Sequence, residues 1–354
     1  MRFLRGVGRV FAVLGILLAF VLLVIIAAIF LLERGPSESA KVLFVQSARE
    51  ASWFAEGGPM SFVPELFLSK EEVKEITERG KMKEMEAGES SDISQIDIST
   101  DVTKDIEIID ITGGSYKGKL MIISDPSRIF LGTLDYFSYD QGEKIDEMID
   151  RYTGKGYSLI GGVNGGDFID GGVGASFTAM PLGAVMSEGE ISILDEMDSY
   201  HICGFTEENI LVVGEFSQDE LRNGFTDSQG NLHVFRDFVY TKHETGPFLV
   251  VDGNSMVNTV PDTATYGGGK NPRTAIGQRK DGAILLLTID GRQANSLGAS
   301  FVELANIMLE YGAYNACAMD GGTSTQMFYE GELISNPYSA YGVRKCPTGW
   351  LVKE

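Results

Sequence analysis

The chain has 354 residues, 44% of them hydrophobic and 22% charged, so it is a globular protein long enough to bury one large core or two modest ones. Its formal net charge is −21, and because residues 1–40 carry four Arg against two Glu, the rest carries −23, an acidity that repels phosphate backbones and excludes nucleic acid as a partner class. Three cysteines, Cys203, Cys317 and Cys346, are too few and too scattered for a disulfide scaffold or a Cys-based zinc site.

The first element is an uninterrupted apolar run of 22 residues, Phe11 to Leu32. That is close to the roughly 20 residues that cross a bilayer as a helix. Arg2, Arg5 and Arg9 precede it and Glu33 follows, so the positive-inside bias places the N-terminus in the cytoplasm and everything after Arg34 outside. The run exceeds the apolar core of a signal peptide, about 7 to 15 residues, and no clear small-x-small cleavage pattern follows it. Residues 1–34 are therefore expected to be a cytoplasmic tip and transmembrane signal anchor, making this a single-pass cell-membrane protein with an extracellular C-terminal domain.

From Pro36 to about Glu86 the pattern is helical but lightly apolar. Ser69 and Glu72 have capping-box spacing, and Val73, Ile76 and Gly80 fit one short amphipathic helix. Residues 84–110 carry many acids against the single Lys104, which suits a solvated linker. Residues 35–102 read as a helical stalk and acidic linker, and residues 103–354 as one domain.

Within that domain Ile106–Ile111, Lys119–Ser124 and Arg128–Leu134 have strand patterns, and Ile145, Met148, Ile149 and Tyr152 have helical spacing, with Gly154 as the stop. Pro181–Ile193 resembles a hairpin turning at Ser187-Glu188-Gly189; Ile202–Phe205, Ile210–Val213 and Phe248–Val251 follow as strands. Ser217 and Glu220 form a second capping box before a helix ending at Gly224. A third, Ser300 with Glu303, opens a helix that should bury Phe301, Leu304, Ala305 and Met308 and stop at Gly312. Short strands and hairpins outnumber helices and no regular βαβ repeat is present, which predicts an α+β fold: a mixed β-sheet domain with packed helices. His201, His233 and His243 lack mutual metal-ligand spacing and read as loop or surface residues. No EF-hand loop is present, and no metal or cofactor is expected.

Polar clusters fall at the ends of these elements, where active sites usually sit. Gly161 to Phe168 surrounds Asn164 with glycines that either let the backbone approach a ligand or make a tight turn between strands. Neither a GxGxxG run opening a helix nor a GK[ST] end accompanies it, so a nucleotide site is poorly supported. Gly267 to Lys270 reads as a flexible loop, able to move over a ligand or simply an exposed connector. Pro272 stiffens the chain before Arg273, whose planar guanidinium suits bidentate capture of a phosphate or carboxylate and equally suits a structural ion pair. Asp290 and Asp320 each end an apolar run and precede Gly. Either alone makes an ordinary turn; together, facing one cleft, their pKa values would separate into an acid and a base or nucleophile.

These clusters together resemble the phosphodiester glycosidase family, over roughly Thr103 to the C-terminus. The residues that carry the resemblance are Asn164-Gly165-Gly166 with Phe168, Asn271 to Gly277, Asp290-Gly291-Arg292, the helix 301–311, Asn315-Ala316, and Asp320-Gly321-Gly322 with Ser324-Thr325. The sequence departs from the family pattern at Asp167, where an aromatic residue is usual, and at Thr323, where a third glycine is usual. The resemblance implies hydrolysis of a sugar-1-phosphodiester at the anomeric bond, in a glycan or cell-envelope polysaccharide. It assigns catalytic roles to Asp320, Asp290 and Asn164, and substrate contacts to Arg273, Thr274, Gly165, Gly166, Gly321, Gly322, Ser324, Thr325 and Arg344. Its implied partners are a carbohydrate or sugar-phosphate polymer, with the membrane reached through the N-terminal helix. A non-catalytic sugar-phosphate binding protein and an exopolysaccharide assembly protein are the competing readings. If the domain is extracellular, Cys317 and Cys346, which flank the site region, are the best-placed pair to bridge, and three free buried thiols fit the count equally well.

Overall fold

A computed structural model of the chain describes residues 2–49, 53–78, 82–83, 85–98, 106–169, 177–241, 247–256, 269–336, 339 and 342–354, with the side chains of residues 2–10 excepted. It divides into two compact units, Met1–Glu78 and Arg79–Glu354.

The first unit is helical. Its α1 (Arg2–Arg34) contains the apolar run, and the stretch Phe11–Arg34 is long and apolar enough to cross a bilayer, with large apolar side chains facing outward along it. Then come α2 (Glu38–Arg49), a one-turn helix Val63–Glu65, and α3 (Lys70–Glu78). The Ser69 capping box forms: Glu72 N donates to Ser69 Oγ at 3.1 Å, and Ser69 N donates to Glu72 Oε2 at 2.7 Å. Val73 and Ile76 are buried where α3 packs on α2; Gly80 lies outside the described residues.

The second unit is built mainly of antiparallel sheets with helices packed on them, the α+β class expected. A seven-stranded sheet runs in the order Glu107–Thr112, Lys117–Ile123, Ile284–Asp290, Arg273–Arg279, Ala313–Ala318, Phe248–Val251, Asn254–Ser255. One five-stranded sheet contains Leu159–Asn164 between Met327–Tyr329 and Thr348–Lys353; another contains Phe235–Tyr240 and Tyr200–Thr206. Among the described residues every ladder between these strands is antiparallel.

Successive side chains of a strand point to opposite faces, and the seven-stranded sheet uses both. One face sends Met121, Ile276, Ile284, Leu286 and Cys317 into a core shared with Val163 and Trp350 of one five-stranded sheet and with Cys203 and Val239 of the other. The opposite face packs Leu120, Ala275, Leu285, Leu287 and Ala318 under a helix described below.

The helices follow their local signals closely. Helix α4 (Ile145–Gly154) buries Ile145, Met148 and Tyr152, but it runs through Gly154; the left-handed residue that ends the turn is Gly156, at φ +100°. Helix α5 (Gln218–Asn223) has the Ser217–Glu220 box and ends at Gly224. Helix α6 (Phe301–Glu310) covers the sheet. Its Ser300–Glu303 box is closed, Phe301, Leu304, Ala305, Ile307 and Met308 are buried, and Gly312 follows at φ +86°. The hairpin turn Glu188-Gly189 has positive φ at both residues, as a tight two-residue connection between twisted strands requires.

Several sequence expectations change. Residues 85–98 are not wholly solvated: Glu86, Glu89 and Asp97 are exposed, but Met85, Ile93 and Ile96 are buried in the second unit. Ser91 N donates to Val213 O, and Asp92 N to Asp252 Oδ1 at 2.7 Å. Isolated apolar residues among acids carry this attachment, and an averaged composition hides them. Thr103 lies outside the described residues. His201 is a buried strand residue facing Glu215, His233 is tied to Asp227, and His243 lies outside the described residues. All three cysteines are free and buried, and Cys317 sits beside Cys203 of the facing sheet rather than Cys346.

Candidate active site

Asn164 is the last residue of its strand, fully buried, with its carboxamide satisfied at both ends. Its Oδ1 accepts from Thr274 Oγ1 at 2.7 Å and from Gln326 N at 3.2 Å, and its Nδ2 donates to the Asp320 carbonyl at 2.6 Å. Asp320 N donates back to Gly165 O at 3.1 Å, and Gly322 N donates to Pro272 O at 2.9 Å. A strand of the seven-stranded sheet, the loop that follows its Ala313–Ala318 strand, and the residue that precedes Met327–Tyr329 are thus joined to a five-stranded sheet through a single amide side chain. Buried polar groups paired this completely are rigid, because breaking any one bond strands a partner away from water.

The glycines around this junction are required by space. A Cβ on Gly165 would collide with the Thr348 side chain, and one on Gly166 with the Tyr240 carbonyl. The loop Gly321-Gly322 passes over Pro272, with Gly322 at φ +61°. Asp320 Oδ1 accepts from Gly321 N at 2.9 Å, which orients the carboxylate within its own loop.

Two cations border Gly322 and Thr323. Arg292 is exposed and held in the left-handed region at φ +58°; its Nε and Nη2 donate to Asn271 Oδ1 at 3.3 and 3.2 Å, and Nη2 lies against Gly322. Arg344 donates Nη1 to Thr323 Oγ1 at 3.1 Å and lies 5.1 Å over the Phe168 ring. The nearby Cys346 thiol is pushed up first by burial and then by the Asp320 charge, while Arg344 opposes them, so both charged groups act on the same buried sulfur.

Arg273 points elsewhere. It neighbours Thr274 on one strand, so strand alternation sends its side chain to the α6 face, where it is 7% exposed. Its Nε donates to Ala299 O at 3.1 Å, its Nη2 to Gly269 O at 2.9 Å, and its guanidinium stacks 3.9 Å from the Phe301 ring centre. Asp290 shares the Thr274 face, since Thr288 pairs with Thr274 and lies two residues before it. Its Oδ1 accepts from Asn336 N at 2.8 Å, and burial raises its pKa, against the Asn336 N–H and Lys119. The strand that Asp290 ends and the strand that Asp320 follows have the Arg273 strand between them.

Of the residues singled out from sequence, Asn164, Gly165, Thr274, Asp320, Gly321 and Gly322 form one hydrogen-bonded junction, and Arg344 borders it through Thr323. Ser324 and Thr325 are fully buried in the same loop. Ser324 faces the Cys346 thiol, and Thr325 Oγ1 has no hydrogen-bond partner among the described residues. Gly267 and Gly268 lie outside the described residues. Gln326 was not foreseen. It is fully buried, its Nε2 donates to Ser324 O at 3.1 Å and Arg344 O at 2.8 Å, and its Oε1 accepts from Ile145 N at 3.1 Å. A glutamine immediately before the apolar strand Met327–Tyr329 was the available signal. Among the described residues no three His, Cys, Asp or Glu side chains stand together as a metal site.

Residues 157–353, more than half of the chain, match the model of a family described as phosphodiester glycosidase. A stretch of 112 residues, 30% of the chain, is 43% identical to the SPbeta prophage-derived uncharacterized protein YomE of Bacillus subtilis (strain 168). Another of 94 residues, 27% of the chain, is 33% identical to the N-acetylglucosamine-1-phosphodiester alpha-N-acetylglucosaminidase of Bos taurus. These matches span only 17% and 15% of the two relatives' own lengths. The catalytic domain of the zebrafish N-acetylglucosamine-1-phosphodiester alpha-N-acetylglucosaminidase, auto-inhibited by its pro-peptide, shares the fold. The TM-score is 0.54 at 20% identity, covering 75% of this chain and 88% of that one.

Proposed function

We propose that this chain, which belongs to the phosphodiester glycosidase family, hydrolyses the bond between an anomeric carbon and a phosphodiester in a glycan or cell-envelope polysaccharide. Its N-terminal helix holds it to the cell membrane in a single pass with the second unit outside. The observation that carries the catalytic reading is the junction of Asn164, Thr274 and Asp320, with Arg292 and Arg344 beside the same glycine loop. Turn-forming residues distant in sequence have no reason to meet around one buried amide.

In this reading Asp320 directs a water to the anomeric carbon or attacks that carbon itself. The carbon–oxygen bond to phosphate breaks, water supplies the sugar hydroxyl, and a phosphomonoester leaves. Phosphate is a good leaving group, so neutralising its charge matters more than strong acid catalysis. Arg292 and Arg344 take the phosphate oxygens. Arg273 braces the start of α6 and the Gly269 carbonyl, a positioning role that replaces the anion contact expected from its sequence. Asn164 sets the backbone of Asp320, and the glycines leave that backbone open to substrate. Asp290, whose burial favours its protonated form, is the group suited to donate a proton.

Incubating the full chain with a sugar-1-phosphate methyl diester tests this. Hydrolysis releases reducing sugar and methyl phosphate together; tight binding with neither product would favour the non-catalytic binding protein.

A further inference from the structure

The end of α1 grips the segment that follows α2. Phe67 N donates to Glu33 Oε2 at 2.7 Å, Arg34 Nε donates to Phe67 O at 2.7 Å, and the Arg34 guanidinium forks onto both oxygens of Glu72 at 2.8 and 3.0 Å. The rings of Phe30 and Phe67 meet edge to face at 5.2 Å. Phe30 is two residues from the end of the apolar run, about 3 Å along the helix axis. A bilayer that contains the run therefore brings its surface to Phe67.

Phe67 follows the one-turn helix Val63–Glu65, which Phe62 precedes and Leu66 ends. Phe62 is 57% exposed, Leu66 38% and Trp53 41%. Outside α1 these three are the large exposed apolar side chains among the described residues of the first unit. Arg49 ties their turns together, donating Nη1 to both Phe54 O and Ser61 O at 3.0 Å, and Met60 N donates to Trp53 O. Arg49, the cation that holds these turns, is itself paired with Glu65.

We propose that Trp53, Phe62 and Leu66 form a second membrane contact, seated in the interfacial layer of the bilayer that α1 crosses. The proposal rests on reading α1 as an anchor. Tryptophan favours the boundary between headgroups and acyl chains, where its ring is buried and its N–H stays wet, and phenylalanine and leucine beside it bury apolar surface at the same depth. The occupant is lipid because Leu66 ends the turn immediately before Phe67, whose ring meets Phe30 of the spanning helix. Two contacts hold the first unit against the membrane at a set orientation, where a single helix would leave a swivelling stalk. Apolar burial drives the contact, so it is independent of anionic lipid and of salt.

The chain's two tryptophans make the test direct, because Trp350 is fully buried in the second unit and Trp53 is not. The full chain is reconstituted into phosphatidylcholine vesicles whose acyl chains are brominated near the headgroup end. Flotation reports anchoring, and tryptophan emission reports depth. The expected result is a floating chain whose Trp53 emission is quenched and blue-shifted equally at low and high salt. In the double variant Phe62→Ser, Leu66→Ser the chain should still float with most of that quenching lost. A floating chain with unquenched Trp53 overturns the proposal, as does quenching that survives the double variant. A chain that fails to float overturns the anchor reading and this proposal with it. None of these outcomes depends on hydrolysis.

Discussion

The side-chain amide of Asn164 donates to the backbone carbonyl of Asp320 at 2.6 Å across 156 residues of sequence. Asp320 answers through its own N–H to Gly165, so the two loops are locked in both directions. The position of the Asp320 carboxylate is therefore set by a residue of another sheet. Asn164→Ala would leave Thr274 Oγ1 and Gln326 N without their acceptor in a buried place. It should cost about 2–6 kcal/mol, from about 1–3 kcal/mol for each of the two stranded groups. Thermal unfolding checks the loss, and a midpoint within a degree of the parent would mean that the junction is not rigid.

Asp320→Asn keeps the shape and can still accept the Gly321 N–H through its side-chain oxygen, so the fold should survive. Hydrolysis of a sugar-1-phosphodiester should fall by about 10³-fold or more, the usual scale for an essential carboxylate. Measured activity close to the parent would remove Asp320 from the chemistry.

The two arginines should respond in opposite ways. Arg344→Lys, at the edge of the site, should lower kcat/KM by about 10- to 100-fold, because a point charge does not reproduce a planar fork on phosphate, with little change in melting temperature. Arg273→Lys should mainly destabilise, since its donors hold two buried carbonyls and its plane covers Phe301. Parallel melting and kinetic measurements decide. A stable Arg273→Lys enzyme with a large activity loss would restore Arg273 as the anion ligand.

Burial raises the Asp290 pKa in the folded protein, so the folded state binds its proton more tightly than the unfolded chain does. The unfolded state loses that proton first as pH rises, and stability falls through the window between the ordinary carboxylate pKa and the raised one. Asp290→Asn, which still accepts from Asn336 N, should be more stable than the parent at neutral pH, with the difference vanishing below about pH 4. Urea melts at several pH values read this directly. A difference that grows on acidification would contradict the sign.

Much of the fold was legible because its signals are local. The boxes at Ser69, Ser217 and Ser300 close over three residues, and the turn at Glu188-Gly189 needs only two left-handed positions; no distant partner decides them. The apolar run of α1 declares itself by length alone. The candidate site was legible as polar clusters at strand ends; of the residues singled out there, Asn164, Thr274 and Asp320 meet and Arg273 does not. What tertiary structure decided was facing and order. A period of two states that Arg273 and Thr274 oppose each other, but only the pairing of Arg273–Arg279 between two other strands shows that Thr274 meets Asn164 while Arg273 lies under α6. The same non-local pairing holds Asp290 a strand beyond the junction, and non-local packing buries Met85, Ile93 and Ile96 within the second unit. Side-chain direction along one strand is a local property of the pleat; which face meets which partner is set by contacts between residues far apart in the chain.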